Sequence, residues 1–543
     1  MSQQNPNFPI PENLEGFWVW DKMHGPRPMT PYTQDLYVDD ISEGFTRGMI
    51  ELQSPVGIRQ ISLNCYVYLG IVPVPLENQT FDERVARHEQ AVQETLPQLG
   101  SLWADQWLPS MIPGLEAAKT RDYGSLDDSA LVQTMGTMRE EFIDRYTIHG
   151  KINFVTMSAS LYADFYNEVF SPDESTEPYE TLQGFPTRSL DAGHGLWELS
   201  RQIKDNPTLN TVFNESETHA IVAKLEQISD GQEWLTGFRS YLEEFGWRTD
   251  DFEFAAPQWR EDPTIPLNTL QGFIQLGDES DPQAKFNQAV TQRDELLAAA
   301  RDRLSGDPEA LGKFNGLYDM ARHYLTLTED HNYYIDQVGN GIMRLPALEI
   351  GRRLFERGAI EIVDDVFMLY VDEHEAALGG QDFKSTIAER KAELAKWSQV
   401  IPVPTIGQPP EPSGAPMEAA LEKMFGAPPE PSQDPNIIQG IGASAGVVQG
   451  TAKVVKNLSE ASKLTQGDIM VCEMTMPPWT PLFSTVSAVV ADTGGVRSHC
   501  AIVSREYRMP CVVGTLMGTA VIQDGMTITV DGSAGVVRID SRG

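Results

Sequence analysis

The chain has 543 residues, more than one hydrophobic core ordinarily organises, so two to four domains are expected. A formal net charge of −37 excludes a general affinity for nucleic acid or an anionic membrane surface, and any phosphate chemistry must therefore be local. Apolar residues make up 41% without any run near the roughly 18 that cross a bilayer, and the four cysteines (Cys65, Cys472, Cys500, Cys511) form no CxxC pair, so neither a disulfide framework nor a zinc site is expected.

The opening MSQQNPNFPIPENLEG has neither the basic nor the apolar region of a signal peptide, and with so few cysteines a reducing cytoplasm fits best. Next comes FWVWDKMHGPRP, which sets Phe17, Trp18 and Trp20 beside Lys22, His24 and Arg27. A flat apolar wall with a base and cations suits a phenol, whose proton (pKa about 10) must leave as its oxygen attacks, and His24 is the candidate to take it. The same residues read equally well as core tryptophans and a turn-capping histidine.

IRQISLNCYVYLGIVPV reads as strand, giving a small β element near residues 45–75. The stretches TFDERVARHEQAVQETLPQL, DDSALVQTMGTMREEFIDRYTI, SETHAIVAKLEQI and DPQAKFNQAVTQRDELLAAARDRL have apolar residues at three-to-four spacing, several behind a capping Ser, Thr or Asp, and predict helices. Acidic pairs in REEF, TEDH and VDDVF read as solvated helix faces, and no metal ligand is assigned.

Ile401–Asn436 holds ten prolines, which exclude continuous helix and paired strand and predict a semi-rigid extended linker. Beyond it the texture changes. GIGASAGVVQGTAKVV, DIMVCEM, VSAVVADTGG, PCVVGT and MTITVDGSAGVVRI are short Val- and Ile-rich strands between Gly and Asp turns, with one helix near Ser498–Tyr507. From Ile437 to Gly543 eight Lys and Arg balance eight Asp and Glu, so the whole acidic excess lies earlier. A multidomain chain follows: a mainly helical body over 1–400, a linker over 401–436 and an α/β domain over 437–543.

Within DTGGVRSHCAIVSREYRMPCVVGT, Gly494 and Gly495 permit a tight turn and Ser498 is a natural N-cap, which puts His499 in the first helical turn. Free N–H groups and the positive end of the helix dipole favour an anion there, with Arg497 and Arg505 as candidate charge partners. A histidine so placed can be a nucleophile whose phosphorylated form its own helix stabilises. It can also be a satisfied structural group.

These residues, with the flanking GASAGVVQGTAKVV and TITVDGSAGVV, closely resemble the phosphohistidine swivelling domain of the phosphoenolpyruvate-utilising enzymes. That group includes phosphoenolpyruvate synthase, pyruvate phosphate dikinase, rifampin phosphotransferase and the phenol- or cresol-phosphorylating synthases. Cys500 stands where alanine is more typical, and YRMP lacks the usual glycine. FWVWDKMHGPRPMTPY, LTEDHNYYIDQVGNGIMR and LEIGRRLFERGAIEIVDDVFMLYVDE resemble the acceptor domain of rifampin-phosphotransferase-like proteins.

The resemblance implies that His499 accepts a phosphoryl group, on the nitrogen remote from the main chain, and passes it on. Gly494, Gly495, Arg497, Ser498 and Arg505 would hold the phosphate, and Trp18, Trp20, Lys22, His24 and Arg27 the acceptor. No GxxxxGK loop is present, and Gly339–Gly341 lacks the spacing of a nucleotide loop. The family's ATP-grasp domain and phosphoenolpyruvate-binding barrel are not recognised, so an ATP-grasp-type partner subunit is expected, as in split aryl-phosphate synthases. ATP and Mg²⁺ would act in the hetero-oligomeric complex, bound mainly by that partner. The expected activity is ATP-dependent, dikinase-type phosphorylation of a small aromatic hydroxyl compound, releasing AMP and phosphate. An antibiotic or other alcohol acceptor is the alternative, as is a non-catalytic phosphocarrier. The linker would let His499 travel: about 35 extended residues at about 3.1 Å each reach on the order of 100 Å.

Overall fold

The computed structural model describes residues 7–22, 24–154, 157–172, 177–249, 252–275, 281–408, 432, 434–475, 477–496 and 498–542. The architecture is multidomain, a helical body with a C-terminal sheet domain. The compact units cut across the sequence-order division at residues 400 and 437. One comprises Met1–Val155, Asp251–Pro257 and Tyr334–Pro412, the other Thr156–Asp250, Gln258–Tyr333 and Ser413–Gly543. Among the described residues no helix is long and apolar enough to cross a membrane.

In the first unit, β1 (Trp18–Trp20), β2 (Val56–Leu63), β3 (Tyr66–Pro73) and β4 (Thr405–Ile406) form an antiparallel sheet in the order β2-β3-β1-β4. The expected β element thus begins at residue 56, because residues 45–51 belong to the helix Ser42–Glu51. β4 corrects the linker expectation. Pro404 accepts from the Trp20 N–H at 2.9 Å, and Ile406 pairs with Trp18. Proline has no N–H to offer, yet its carbonyl serves a ladder at a sheet edge, and β4 is the edge. The linker residues 409–431 and 433 lie outside the described residues. Helix Ser42–Glu51 packs on Asp128–Phe154 through glycines. A Cβ on Gly44 would stand 2.5 Å from Cβ of Tyr146, and one on Gly150 2.7 Å from the Phe45 carbonyl oxygen. Thr80 caps Phe81–Thr95 in a reciprocal box with Glu83, as its sequence predicts.

The second unit contains the helices Met157–Phe170, Arg188–Asp205, Ser229–Phe245, Pro282–Arg303 and Pro308–His331. SETHAIVAKLEQI is not the single helix its pattern suggests: a 3₁₀ turn, Thr218–Ala220, precedes a helix of only Ile221–Leu225. The sheet contains β5 (Ile437–Gln439), β6 (Ile441–Ser444), β7 (Val447–Val455), β8 (Ile469–Cys472), β9 (Ala488–Ala491), β10 (Cys511–Val513), β11 (Thr527–Asp531) and β12 (Val536–Ser541). Its order is β5-β12-β11-β7-β8-β9-β10-β6, parallel from β7 to β10 and antiparallel at both flanks. β8, β9 and β10 are buried along their whole length, as continuous apolar strands covered on both faces must be. On one face Cys500, Ala501, Val503 and Phe483 join a core that includes Leu190, with Ile265 and Phe286 packed against it. On the other, Ile469, Val471, Val490 and Ile528 form a second core.

Candidate functional site

The loop leaving β9 is pinned before it reaches the histidine. The buried Asp492 carboxylate accepts from the Thr515 hydroxyl at 3.1 Å and the Thr519 N–H at 3.0 Å, and Thr493 bonds the Glu473 carbonyl through both its N–H and its hydroxyl at 3.0 Å. Gly494 then turns at φ +97°, where a Cβ would stand 2.8 Å from the Ser498 side chain. Ser498 caps the helix His499–Glu506: its hydroxyl donates to the Gly495 carbonyl at 2.9 Å and accepts from the Ala501 N–H at 3.4 Å. The structure thus brings Gly494, Gly495, Ser498 and His499 together.

Two threonines hold the imidazole. Nδ1 lies 3.1 Å from the Thr475 hydroxyl and Nε2 3.1 Å from the Thr480 hydroxyl, both threonines being buried, and the Phe483 ring meets the imidazole edge-on at 6.1 Å. Burial and the nearby Arg248 charge push the His499 pKa down to about 3, against a raising hydrogen bond from the Thr475 main chain. A main-chain carbonyl can only accept, so the ring nitrogen that meets it carries the hydrogen and the other keeps its lone pair. The result is a neutral, oriented imidazole.

Thr475, Thr480 and Arg248 escaped the sequence reading. The threonines stand out only as hydroxyls in the apolar, proline-rich stretch MTMPPWTPLF. Arg248 is fully buried, its guanidinium 5.5 Å from each of the Phe245 and Trp259 rings, and its carbonyl accepts from the Trp259 N–H at 3.1 Å. Arg505 does not reach the imidazole. Six residues along, on another face of the helix, it is buried, donates to the Ala443 carbonyl at 2.8 Å and lies 5.1 Å from the Tyr179 ring. Arg497 lies outside the described residues.

The acceptor candidates divide. Trp18 is core, packed with Phe8, Tyr68 and Trp397 while its indole N–H donates to the Glu15 carbonyl at 2.8 Å, so it offers no wall to a ligand. Trp20 donates to the Gly25 carbonyl at 3.1 Å, and the Lys22 ammonium stands 5.9 Å from its ring. Arg27 is exposed. His24 is gripped by Asp21, whose oxygens lie 2.9 and 3.1 Å from Nδ1. GNG is helical: Gly339 closes the π-helical segment Asn332–Gly339, and Asn340 and Gly341 open the helix Asn340–Glu356.

Two segments of the chain match known families. Residues 152–329 match the fourth domain of rifampicin phosphotransferase, and residues 464–535 match the mobile domain of PEP-utilising enzymes. The chain is 31% identical to a chondramide synthase of Chondromyces crocatus over 98% of its own length and 14% of the synthase. It is 28% identical to the uncharacterized phosphotransferase YvkC of Bacillus subtilis over 98% of its length and 62% of that protein. To a rifampicin phosphotransferase of Streptomyces sviceus it is 23% identical over 79% of its length and 50% of the relative. The chain therefore spans only part of each of these relatives.

Proposed function

Because the chain belongs to the phosphoenolpyruvate-utilising enzyme family, we propose that it is a phosphotransferase carrying a phosphoryl group on Nε2 of His499. The observation that carries this reading is the imidazole itself, neutral near physiological pH and held by Thr475 and Thr480. Attack by the Nε2 lone pair forms the P–N bond while the bond from phosphorus to the donor oxygen breaks, its electron pair leaving with that oxygen. Positive charge appears on the ring, and the main-chain hydrogen bond from Thr475 stabilises it. Arg248 supplies a fixed cation for the phosphoryl oxygens.

The donor in this proposal is ATP, converted to AMP and phosphate on a separate ATP-grasp-type module that also binds Mg²⁺. No residue of this chain is assigned to either. The acceptor is a small aromatic hydroxyl compound of the phenol or cresol type. A second reading, an antibiotic or other complex alcohol, draws support from the match of residues 152–329 to a rifampicin phosphotransferase domain. The direct test supplies a small chemical phosphoryl donor, phosphoramidate, to the full chain. An acid-labile, base-stable phosphate mapping to His499 and missing from His499→Ala is expected, because protonation of the nitrogen breaks a P–N bond. A stable phosphate on serine or threonine would overturn the reading.

A further inference from the structure

We propose that Asp21, His24 and Tyr37 form the site that takes the proton from the acceptor hydroxyl, with Nε2 of His24 as base and Asp21 and Tyr37 as positioning residues. This rests on the phosphotransferase reading above and adds where the acceptor is activated.

The loop after β1 folds back on itself. The Gly25 N–H donates to the Asp21 carbonyl at 2.9 Å and the His24 N–H to the Asp21 carboxylate at 3.3 Å. That turn sets His24 Nδ1 2.9 Å from Oδ1, while Oδ2 accepts from the Tyr37 hydroxyl at 2.8 Å. Asp21 is buried whereas the His24 side chain keeps 37% exposure, so the carboxylate backs an imidazole that solvent or substrate can reach. With Nδ1–H given to Asp21, Nε2 has the lone pair, and no described residue bonds it. Phe252 meets the ring edge-on at 4.9 Å, an apolar flank beside the base.

The supporting groups are assembled on irregular helices. Tyr37 lies on the π-helical segment Asp35–Ile41, and Asp336 on the π-helical segment Asn332–Gly339. Asp336 accepts from the Tyr146 hydroxyl at 3.0 Å and faces His149 at 3.3 Å, and Asn340 also bonds Tyr146 at 3.0 Å. Wide turns of this kind cluster at functional sites, because one inserted residue re-aims its neighbours. Burial opposes the His24 imidazolium, but the charge and hydrogen bond of Asp21, helped by the Asp336 charge, outweigh it and raise the pKa. A more basic imidazole is the stronger proton acceptor for a phenol.

The step balances without a further reactant. The acceptor O–H bond breaks and its proton passes to Nε2 of His24. The oxygen forms the O–P bond as the P–N bond of the phosphorylated carrier breaks, returning its electron pair to the carrier nitrogen. His24 then releases its proton to solvent.

The full chain, phosphorylated at His499 with phosphoramidate, is mixed with phenol between pH 6 and 9, and phenyl phosphate is measured. Wild-type transfer is expected to rise with pH through the His24 pKa. His24→Gln should accept the label normally yet transfer at least about 100-fold more slowly. Asp21→Asn should lose about 10-fold or more and shift the limb to lower pH, because the charge raising the His24 pKa is gone. Tyr37→Phe should shift it the other way, since an Asp21 relieved of one donor holds the imidazolium more strongly. Histidine NMR titration reads both shifts without turnover. Wild-type transfer by His24→Gln, unshifted profiles in the other two variants, or no transfer to phenol from labelled wild type overturns the proposal. Absence of label from His499 in every protein removes the carrier reading, and this site with it.

Discussion

Both carboxylate oxygens of Glu506, on the helix that begins with His499, stand 3.1 Å from the main-chain N–H of Gly184. Burial pushes this carboxyl up to about 7, only partly countered by the Gly184 bond. A raised acid binds its proton more tightly in the contact than in water. Its favourable contribution is therefore complete below the ordinary value of 4.5 and is lost as pH rises through about 7. Amide exchange in His499–Glu506 should accelerate across that window beyond its intrinsic pH dependence, and Glu506→Gln should remove the excess. A wild-type profile that matches the Gln variant refutes the account.

Replacing Arg248 with Gln should raise the His499 pKa from about 3, because the guanidinium charge disfavours the imidazolium, although burial keeps the value depressed. Histidine NMR against pH reads the shift directly. Labelling of His499 by a phosphoryl donor should slow at the same time, and an unchanged pKa would show that Arg248 does not act on the ring.

Thr480→Val keeps the shape of the side chain and deletes the hydroxyl beside Nε2; Thr475→Val does the same at Nδ1. Each should lower the rate of His499 phosphorylation while leaving the fold intact. Loss of one buried hydrogen bond costs about 0.5–1.5 kcal/mol. Chemical denaturation and labelling kinetics on the same preparation separate the two effects, and wild-type labelling rates in both variants would deny the hydroxyls any orienting part.

Gly494→Ala forces a side chain into a left-handed backbone at φ +97° and against Ser498. A penalty of about 1–3 kcal/mol is expected, with labelling of His499 impaired as the turn distorts. The comparison is Gly136→Ala, where a Cβ meets nothing within 4 Å, and which should leave both properties near wild type.

His499 was legible because its signal is local: a glycine turn, a cap and the apolar stripe of one short helix. The strands β7 to β12 were legible for the same reason, as Val- and Ile-rich runs between Gly and Asp. Arg248 was not, since some 250 residues separate it from the histidine it influences and nothing in GWRTDD marks a buried cation. Trp18 and Trp20 look alike in FWVWD and share one face of β1, with Val19 exposed between them, yet Trp18 is buried with Tyr68 while Trp20 packs at the margin of that core and donates to the Gly25 carbonyl. Pairing of Thr405–Ile406 was hidden because prolines flag extended chain but do not say which carbonyls a neighbouring strand will use. Asp21 went unremarked because an aspartate before a turn looks like any other, until Tyr37 and His24 are seen to converge on it.

The threonine pair has a consequence for isomer identity. With a hydroxyl at each ring nitrogen, the imidazole cannot rotate by half a turn without breaking both contacts. The two nitrogens are therefore not interchangeable in the resting state, so on the phosphocarrier proposal the fixed ring decides which regioisomer of phosphohistidine forms. Those isomers differ in hydrolytic lifetime, so on that proposal Thr475 and Thr480 bear on how long a phosphoryl group survives as well as on where it sits.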